Sequence, residues 1–465
     1  MKLAKLSLAA IVVAGLASSS FAADTLADAF KNGKASGELR AWYWDRDTGV
    51  ANAAVPTAAT VGKGDSDIFN TGLILGYVTD SFYGFTLGAT MQSNFAAFAD
   101  KDAKNVYGAD EYGSGAVLSE AYLAYTMKNT TVKVGRQFIA SPLVSGSGSR
   151  MIKEAFEGAV VVNTDLPATT LIAGYVSKFQ GRTARAVDAT LLGADSDIPE
   201  FSKTGVFAGA GAFAFDGAYT AAAINKSITN LTLTGQYAVV KDVAGTVVGD
   251  VDVYHVEAGY VLPMNSFELG FGAAYRASST DKDVNADGNY LGAKVTVAKL
   301  AGFGAGFAYG TSDSSDDLIA GMGNGADSLY TGTVIRGGAN TYQANTDSYK
   351  FNVSYDFAQV GIAGLVFGAE YAVANQDAIN ARTLNRTYKV VGDAGYNAAT
   401  NAKGTVGDTT QGVDYSTYGL NLTYSFSGAL KGFSAALQYE TQEKEIGSAS
   451  GVDTDEVRFM ANYKF

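Results

Sequence analysis

From residue 37 onward, apolar and polar positions alternate with a period of two, the repeat of a β-strand with one covered face. In residues 267–276 (FELGFGAAYR) every odd position is apolar, while the even ones are Gly, Ala or charged. The same alternation recurs at 349–357 (YKFNVSYDF), 365–373 (LVFGAEYAV), 418–426 (YGLNLTYSF), 433–441 (FSAALQYET) and 457–465 (VRFMANYKF). In the first strand, 38–46, Leu39, Ala41 and Tyr43 share one face, with Glu38, Arg40, Trp42 and Trp44 on the other. The pattern blurs at 205–224 (GVFAGAGAFAFDGAYTAAAI), where Asp216 argues against a membrane helix. Ahead of the strands, 24–34 predicts one or two helical turns, with Leu26, Ala29 and Phe30 on one side.

The connections carry a second signal. Short links near 80–83, 128–130, 163–168, 227–229, 263–266, 300–302, 358–361 and 427–431 alternate with long polar ones near 47–66, 99–113, 138–155, 179–203, 242–250, 279–288, 311–345, 376–413 and 444–454. Eight short and nine long connections imply eighteen strands, with both ends of the barrel on the short-link side. A soluble sandwich also has one apolar face per strand. Here, however, the strands run about nine to twelve residues, enough to cross a bilayer when tilted. Tyr260, Tyr275, Tyr355, Tyr371, Tyr424 and Tyr463 also gather near strand ends, as two interfacial girdles require. Lipid offers no hydrogen-bond partner to an open edge, so the predicted fold is all-β: a closed, transmembrane, antiparallel barrel of eighteen strands.

An eighteen-stranded lumen is too wide for side chains to fill, which gives weight to the third long connection. Residues 135–157 (GRQFIASPLVSGSGSRMIKEAFE) contain a Ser-Gly tract with no apolar face, followed by Arg150, Lys153, Glu154 and Glu157. This loop is expected to fold inward and set the narrowest point, with Arg136, Arg150, Lys153, Glu154 and Glu157 as its charged residues. Arg136 shares parity with the outward Val132 and Val134: either a bulge at Gly135 turns it inward, the expectation preferred because the loop begins there, or it snorkels to the headgroups. Inward wall positions include Arg40, Glu120, Glu257, Glu268, Arg276, Lys350, Glu370 and Arg458. Lys294, Glu38, Asp356 and Glu440 fall on the same faces, so carboxylates outnumber cations and a weak cation preference is expected.

Composition narrows the function classes. The chain of 465 residues has 55 Gly, 27 Tyr, 25 Phe, 5 Pro and no Cys, without a linker to divide it. Lack of Cys removes disulfides and thiolate zinc sites, and a single His, His255, leaves no His-based triad or metal cluster. Residues 1–22 read as a signal peptide, with Lys2 and Lys5 before an apolar run and small residues at its end. Residues 23–465 are then one barrel domain, and loss of the two lysines takes the net charge from −12 to −14, unsuited to nucleic acid. No cofactor is expected apart from one candidate: Asp283, Asn285 and Asp287, followed by Gly288, match the first half of a calcium loop, but Lys294 stands where its closing Glu belongs.

The chain resembles an Opr family (OprD-like) outer-membrane porin and is similar to the major porins of epsilonproteobacteria. The residues that carry this are 39–47 (LRAWYWDRD), 134–137 (VGRQ), 148–150 (GSR) and 463–465 (YKF). The resemblance implies an outer-membrane barrel whose third loop enters the lumen, passing small hydrophilic solutes and ions by passive diffusion. It also leaves open a substrate-specific channel for small carboxylates or peptides. The basic ladder of such channels is not matched by the mixed signs here. Phe465 resembles the terminal aromatic read by the outer-membrane insertion machinery. Lipid of the outer membrane is the expected surrounding partner, and a homotrimer or a surface adhesin built on the long loops stays open.

Overall fold

The computed structural model describes residues 23–47, 65–186, 198–282, 284–378, 412–446, 449–450 and 453–465. Within these, the alternating segments form long strands, each antiparallel to the one before. The first seven are β1 (Lys34–Asp47), β2 (Asp65–Val78), β3 (Phe85–Ala97), β4 (Ser114–Met127), β5 (Thr130–Gln137), β6 (Ala155–Asn163) and β7 (Thr169–Gln180). Next come β8 (Gly217–Asn225), β9 (Leu231–Val243), β10 (Gly249–Pro263), β11 (Glu268–Thr280), β12 (Asn289–Leu300) and β13 (Phe303–Ser312). The last five are β14 (Thr346–Asp356), β15 (Leu365–Gln376), β16 (Val413–Ser425), β17 (Phe433–Ile446) and β18 (Thr454–Lys464). Strand β18 returns to β1 in register from Glu38 opposite Lys464 to Asp47 opposite Asp455, closing an eighteen-stranded barrel. A short helix, α1 (Leu26–Lys31), capped by the Thr25 side chain, precedes β1.

Burial follows the pleat. Leu39, Val134, Tyr254, Phe351, Leu420 and Phe459 are exposed on the outer face, while Trp42, Trp44, Arg276, Glu440 and Arg458 are buried on the inner one. Outer-face aromatics form two rows. On the long-loop side Tyr175 meets Tyr219, Tyr237 meets Tyr254, Tyr309 meets Tyr349 and Tyr371 meets Tyr418, with centroids 4.9, 5.2, 5.2 and 4.7 Å apart. On the short-turn side are Phe303 with Tyr355 and Phe426 with Phe433, at 4.5 and 5.0 Å. These rows are where amphipathic rings rest at the two membrane interfaces.

The lumen holds more chain than the pattern predicts. Besides the loop between β5 and β6, the loop between β7 and β8 contributes a hairpin of Thr204–Ala208 and Gly211–Ala214. The loop between β13 and β14 adds Gly321–Met322 as its third strand. This small sheet explains the blurred stretch at 205–224, which is half hairpin and half β8. Ile139, Leu143, Val144, Phe207, Phe215, Ile319 and Met322 pack with Val160, Val162, Val176, Val240, Val251 and Val253 into one apolar core on the inner wall of β6–β10. A second helix, α2 (Lys101–Tyr107), lies between β3 and β4. It covers Trp42, Trp44, Ile68 and Met151.

Candidate functional site

The inward loop leaves β5 after Gln137 and rejoins the wall at Ala155. Its Ser-Gly tract has no side chains to pack, so backbone bonds hold it: Ser145 N donates to Met322 O at 2.9 Å, Gly146 N to Ile139 O at 2.9 Å, and Glu154 N to Ser147 O at 3.0 Å. The Glu154 carboxylate is fully buried. It accepts from Ser147 N at 2.8 Å and Asn324 N at 2.9 Å, also from Asn324 Nδ2, and lies 3.3 Å from Arg182 Nε. One carboxylate therefore ties together the loops after β5, β7 and β13. A buried charge is retained where partners are this numerous.

Beside it the wall and loops bring arginines together. Two guanidiniums lie against the Trp44 ring, Arg458 at 3.8 Å and Arg150 at 4.8 Å from its centre. Asp110 faces Arg46 at 3.0 Å, Arg150 at 3.2 Å and Arg182 at 3.5 Å. Burial opposes ionisation of Asp110, but Arg150, Arg46 and Arg182 outweigh it and hold the carboxyl well below its usual range. Its neighbour Glu111 goes the other way: burial pushes it up to about 7, only partly offset by Arg150 and by the Met151 N–H it accepts at 3.1 Å. Glu456 bridges Arg458 at 2.7 Å and Arg46 at 2.9 Å. Arg40 pairs with Glu38 at 2.9 Å and donates to the Arg150 and Met151 carbonyls at 2.9 and 3.1 Å, fastening the loop to β1. Lys153 sits over Phe138 at 4.1 Å, and burial lowers its pKa against the pull of Glu120.

Across the lumen, the loop between β13 and β14 is strapped to the facing wall. Arg276 donates to Ala320 O at 3.0 Å and Ala326 O at 2.6 Å. Lys350 donates to Gly332 O at 2.5 Å and pairs with Glu370 at 2.7 Å. Val334 N donates to Glu370 at 2.6 Å, and Ile335 N to Glu440 at 3.0 Å. Tyr330 donates to Glu257 at 2.6 Å and lies under Lys294 at 3.7 Å. A cavity of about 260 Å³ remains between this loop and the wall, lined by Lys350, Asn352, Glu370, Asn421 and Glu440.

The structure brings Arg150, Lys153 and Glu154 together with Arg40, Glu120 and Arg458 on one side of the lumen, and places Glu257, Arg276, Lys350 and Glu370 on the other. Glu268 is distant from both, at the short-turn end beside Lys299 at 2.5 Å. Arg136 and Glu157 correct the expectation. Lys133 points inward to Glu120 and the Tyr122 ring, Val134 is exposed, and Arg136 keeps the outward parity, bonded to Glu157 at 3.3 Å and stacked on Phe201 at 4.4 Å. Gly135 does not turn the chain; at φ 123°, its missing side chain makes room for the Ala121 carbonyl on β4. Phe465 exchanges backbone bonds with Gly37 at 2.9 and 3.0 Å, and its ring fills the outer face that Gly37 leaves empty.

In the candidate calcium loop Asp283 lies outside the described residues. Asp287 Oδ1 accepts from Thr280 N and Oγ1, at 2.7 and 2.8 Å, and Asn285 has a positive φ of 55°. Among the described residues, no group of three or more His, Cys, Asp or Glu stands close enough to hold a metal. Sequence reasoning missed Arg182, Asp110, Glu111 and Lys133 at the neck, the inward hairpin after β7, and the inward loop after β13 altogether. The one available signal for that loop was Leu318-Ile319-Ala320, an apolar run inside an otherwise polar connection.

Solved structures share this architecture at low sequence identity. The chain superimposes on OpdO of Pseudomonas aeruginosa with a TM-score of 0.68 and 19% identity, covering 94% of this chain and 98% of that one. For OccK9 (OpdG) of the same organism the TM-score is 0.70 at 16% identity, with 94% and 99% covered. OpdQ, also from P. aeruginosa, gives 0.66 at 19%, with 94% and 99% covered. No curated protein matches the chain. Residues 28–465, which include all eighteen strands, match the family model for outer membrane porins of the OprD family, and the chain belongs to that family.

Proposed function

We propose that this outer-membrane porin passes small hydrophilic solutes and ions by passive diffusion through a narrow polar neck beside the inward loops that follow β5, β7 and β13. The observation that carries this is the Glu154 junction with Asn324, which joins the loops across the lumen while the side chains left facing water are mixed charges and amides. The cations Lys133, Lys153, Arg182 and Arg336 bring the neck near charge balance. Ion preference is accordingly weak, rather than set by the inward carboxylates counted along the strands. The arginines around Trp44 favour a second reading, a channel that discriminates among carboxylates, since a planar guanidinium matches that group. Insertion through recognition of Phe465 and association of three barrels belong to the same proposal, as does export by cleavage after residue 22. Membership of a porin family favours a channel over an enzyme.

Single-channel recording in a planar bilayer tests it. Small ohmic steps with a reversal potential near zero under a salt gradient support the diffusion channel. Steps blocked by millimolar carboxylates but not by neutral sugars would favour the selective reading, and silence would remove both.

A further inference from the structure

The register that takes Arg136 out of the lumen also builds something on the outer face. Arg136 on β5 lies directly opposite Glu157 on β6, and Glu157 lies opposite Lys178 on β7. The three side chains form one cross-strand row: Glu157 pairs with Arg136 at 3.3 Å and with Lys178 at 3.0 Å, so two cations share one carboxylate. Arg136 and Lys178 keep 37% and 42% of their side-chain surface exposed, enough to take a further acceptor. Phe201 lies against the Arg136 guanidinium at 4.4 Å and limits its motion. Next to this row on the membrane side runs an in-register line of Leu123, Val134, Ala159, Tyr175 and Tyr219, the apolar surface and aromatic row of the lipid face. The charged row therefore stands at headgroup level, on the long-loop side.

From this placement we propose that Arg136 and Lys178 hold a phosphate of an outer-leaflet lipid against the barrel. Charge complementarity selects the occupant. The row carries a net positive charge, whereas on β18, β1 and β2 the outward positions at the same rim are Asp455, Asp45, Asp47, Asp65 and Asp67, mutually adjacent in register. A phosphate is repelled from that arc and attracted to this one. An exposed ion pair is worth little by itself, so Glu157 positions both cations without neutralising them, and a phosphate gains charge-assisted bonds from each.

The test uses the full-length barrel in mixed micelles, with a bisphosphorylated glycolipid of the lipid A type as probe, its dephosphorylated form as control and inorganic phosphate as competitor. Binding of the phosphorylated form should weaken roughly fivefold for each cation removed, in Arg136→Gln and Lys178→Gln. It should tighten in Glu157→Gln, where the net charge rises. Unchanged conductance shows that the variants are folded, because none of the three faces the lumen. Equal binding in all three variants, or equal binding of the dephosphorylated form, overturns the proposal. So does inorganic phosphate binding as tightly as the lipid, which would make the row a soluble-anion site.

Discussion

The two halves of the inner wall differ as much as a protein core differs from a solvent channel. Over β6–β10 the inward side chains are mostly apolar, Val160, Val162, Ile172, Val176, Ala218, Ile224, Ala238, Val240, Val251 and Val253, all buried, with polar ones such as Gln236, His255 and Glu257 among them. From β14 through β18 and on to β5 they include Lys350, Glu370, Glu440, Arg458, Arg40, Glu120 and Lys133, each ion-paired or hydrogen-bonded. An apolar wall facing water is unfavourable, so the first half exists only because the inward loops cover it. The second half keeps its charges because each faces an opposite charge or a hydrogen-bond partner. The apolar stretch thus takes the packed loops, and the charged stretch is left to line the proposed neck.

If this division is right, removing apolar packing should do most harm. Phe156 is fully buried and meets Phe179 edge-on at 5.3 Å; Phe156→Ala should cost about 3–5 kcal/mol. Thermal unfolding in detergent should show the loss, together with larger and noisier conductance steps as the loops loosen. A melting point unchanged within error would mean that the apolar half does not anchor them.

A smaller effect is expected at the polar junction. Glu154→Gln keeps the shape but loses the charge opposite Arg182 and one acceptor for Asn324, which weakens the local contact between the loop tips by roughly 1–3 kcal/mol. Conductance should rise with little change in melting temperature, because the loops separate at their tips while their roots stay packed. Unaltered conductance would show that the junction is not the neck.

The subtlest test concerns pH. Glu111 has its folded pKa raised from 4.5 to about 7. The folded state therefore holds this proton more tightly than the unfolded chain does. Its contribution is fully present below about pH 4.5 and is lost as pH rises toward 7, by about 1–3 kcal/mol. Asp110, held low, behaves oppositely: its contribution is present above its unfolded pKa of 3.8 and lost on acidification below it. Melting curves between pH 4.5 and 7.5 should fall in the wild type and flatten in Glu111→Gln. Parallel curves would reject the assignment.

The legible parts of this protein were those set by local chemistry. Alternation at period two, the loop lengths and the aromatics near strand ends established the closed barrel, its strand number and the entry of the loop within 135–157. In a lipid-embedded sheet each residue's face follows from its neighbours two positions away. Parity also placed Arg40, Glu120, Lys350 and Arg458 on the inner wall. It pointed Arg136 outward as well; the expectation failed where a bulge was invoked to override it, and where Glu157 was assigned to the inward loop although it already belongs to β6. What tertiary structure alone decided lies in the loops, whose side chains have no periodic partner. Nothing local says that Asp110 in one loop will meet Arg150 and Arg182 from two others, or that Glu154 will be buried against Asn324, 170 residues away. The hairpin at 204–214 showed as a blur because its residues are apolar on both faces, as buried strands are. Its place in the lumen follows from the wall it covers, which is known only when the barrel closes.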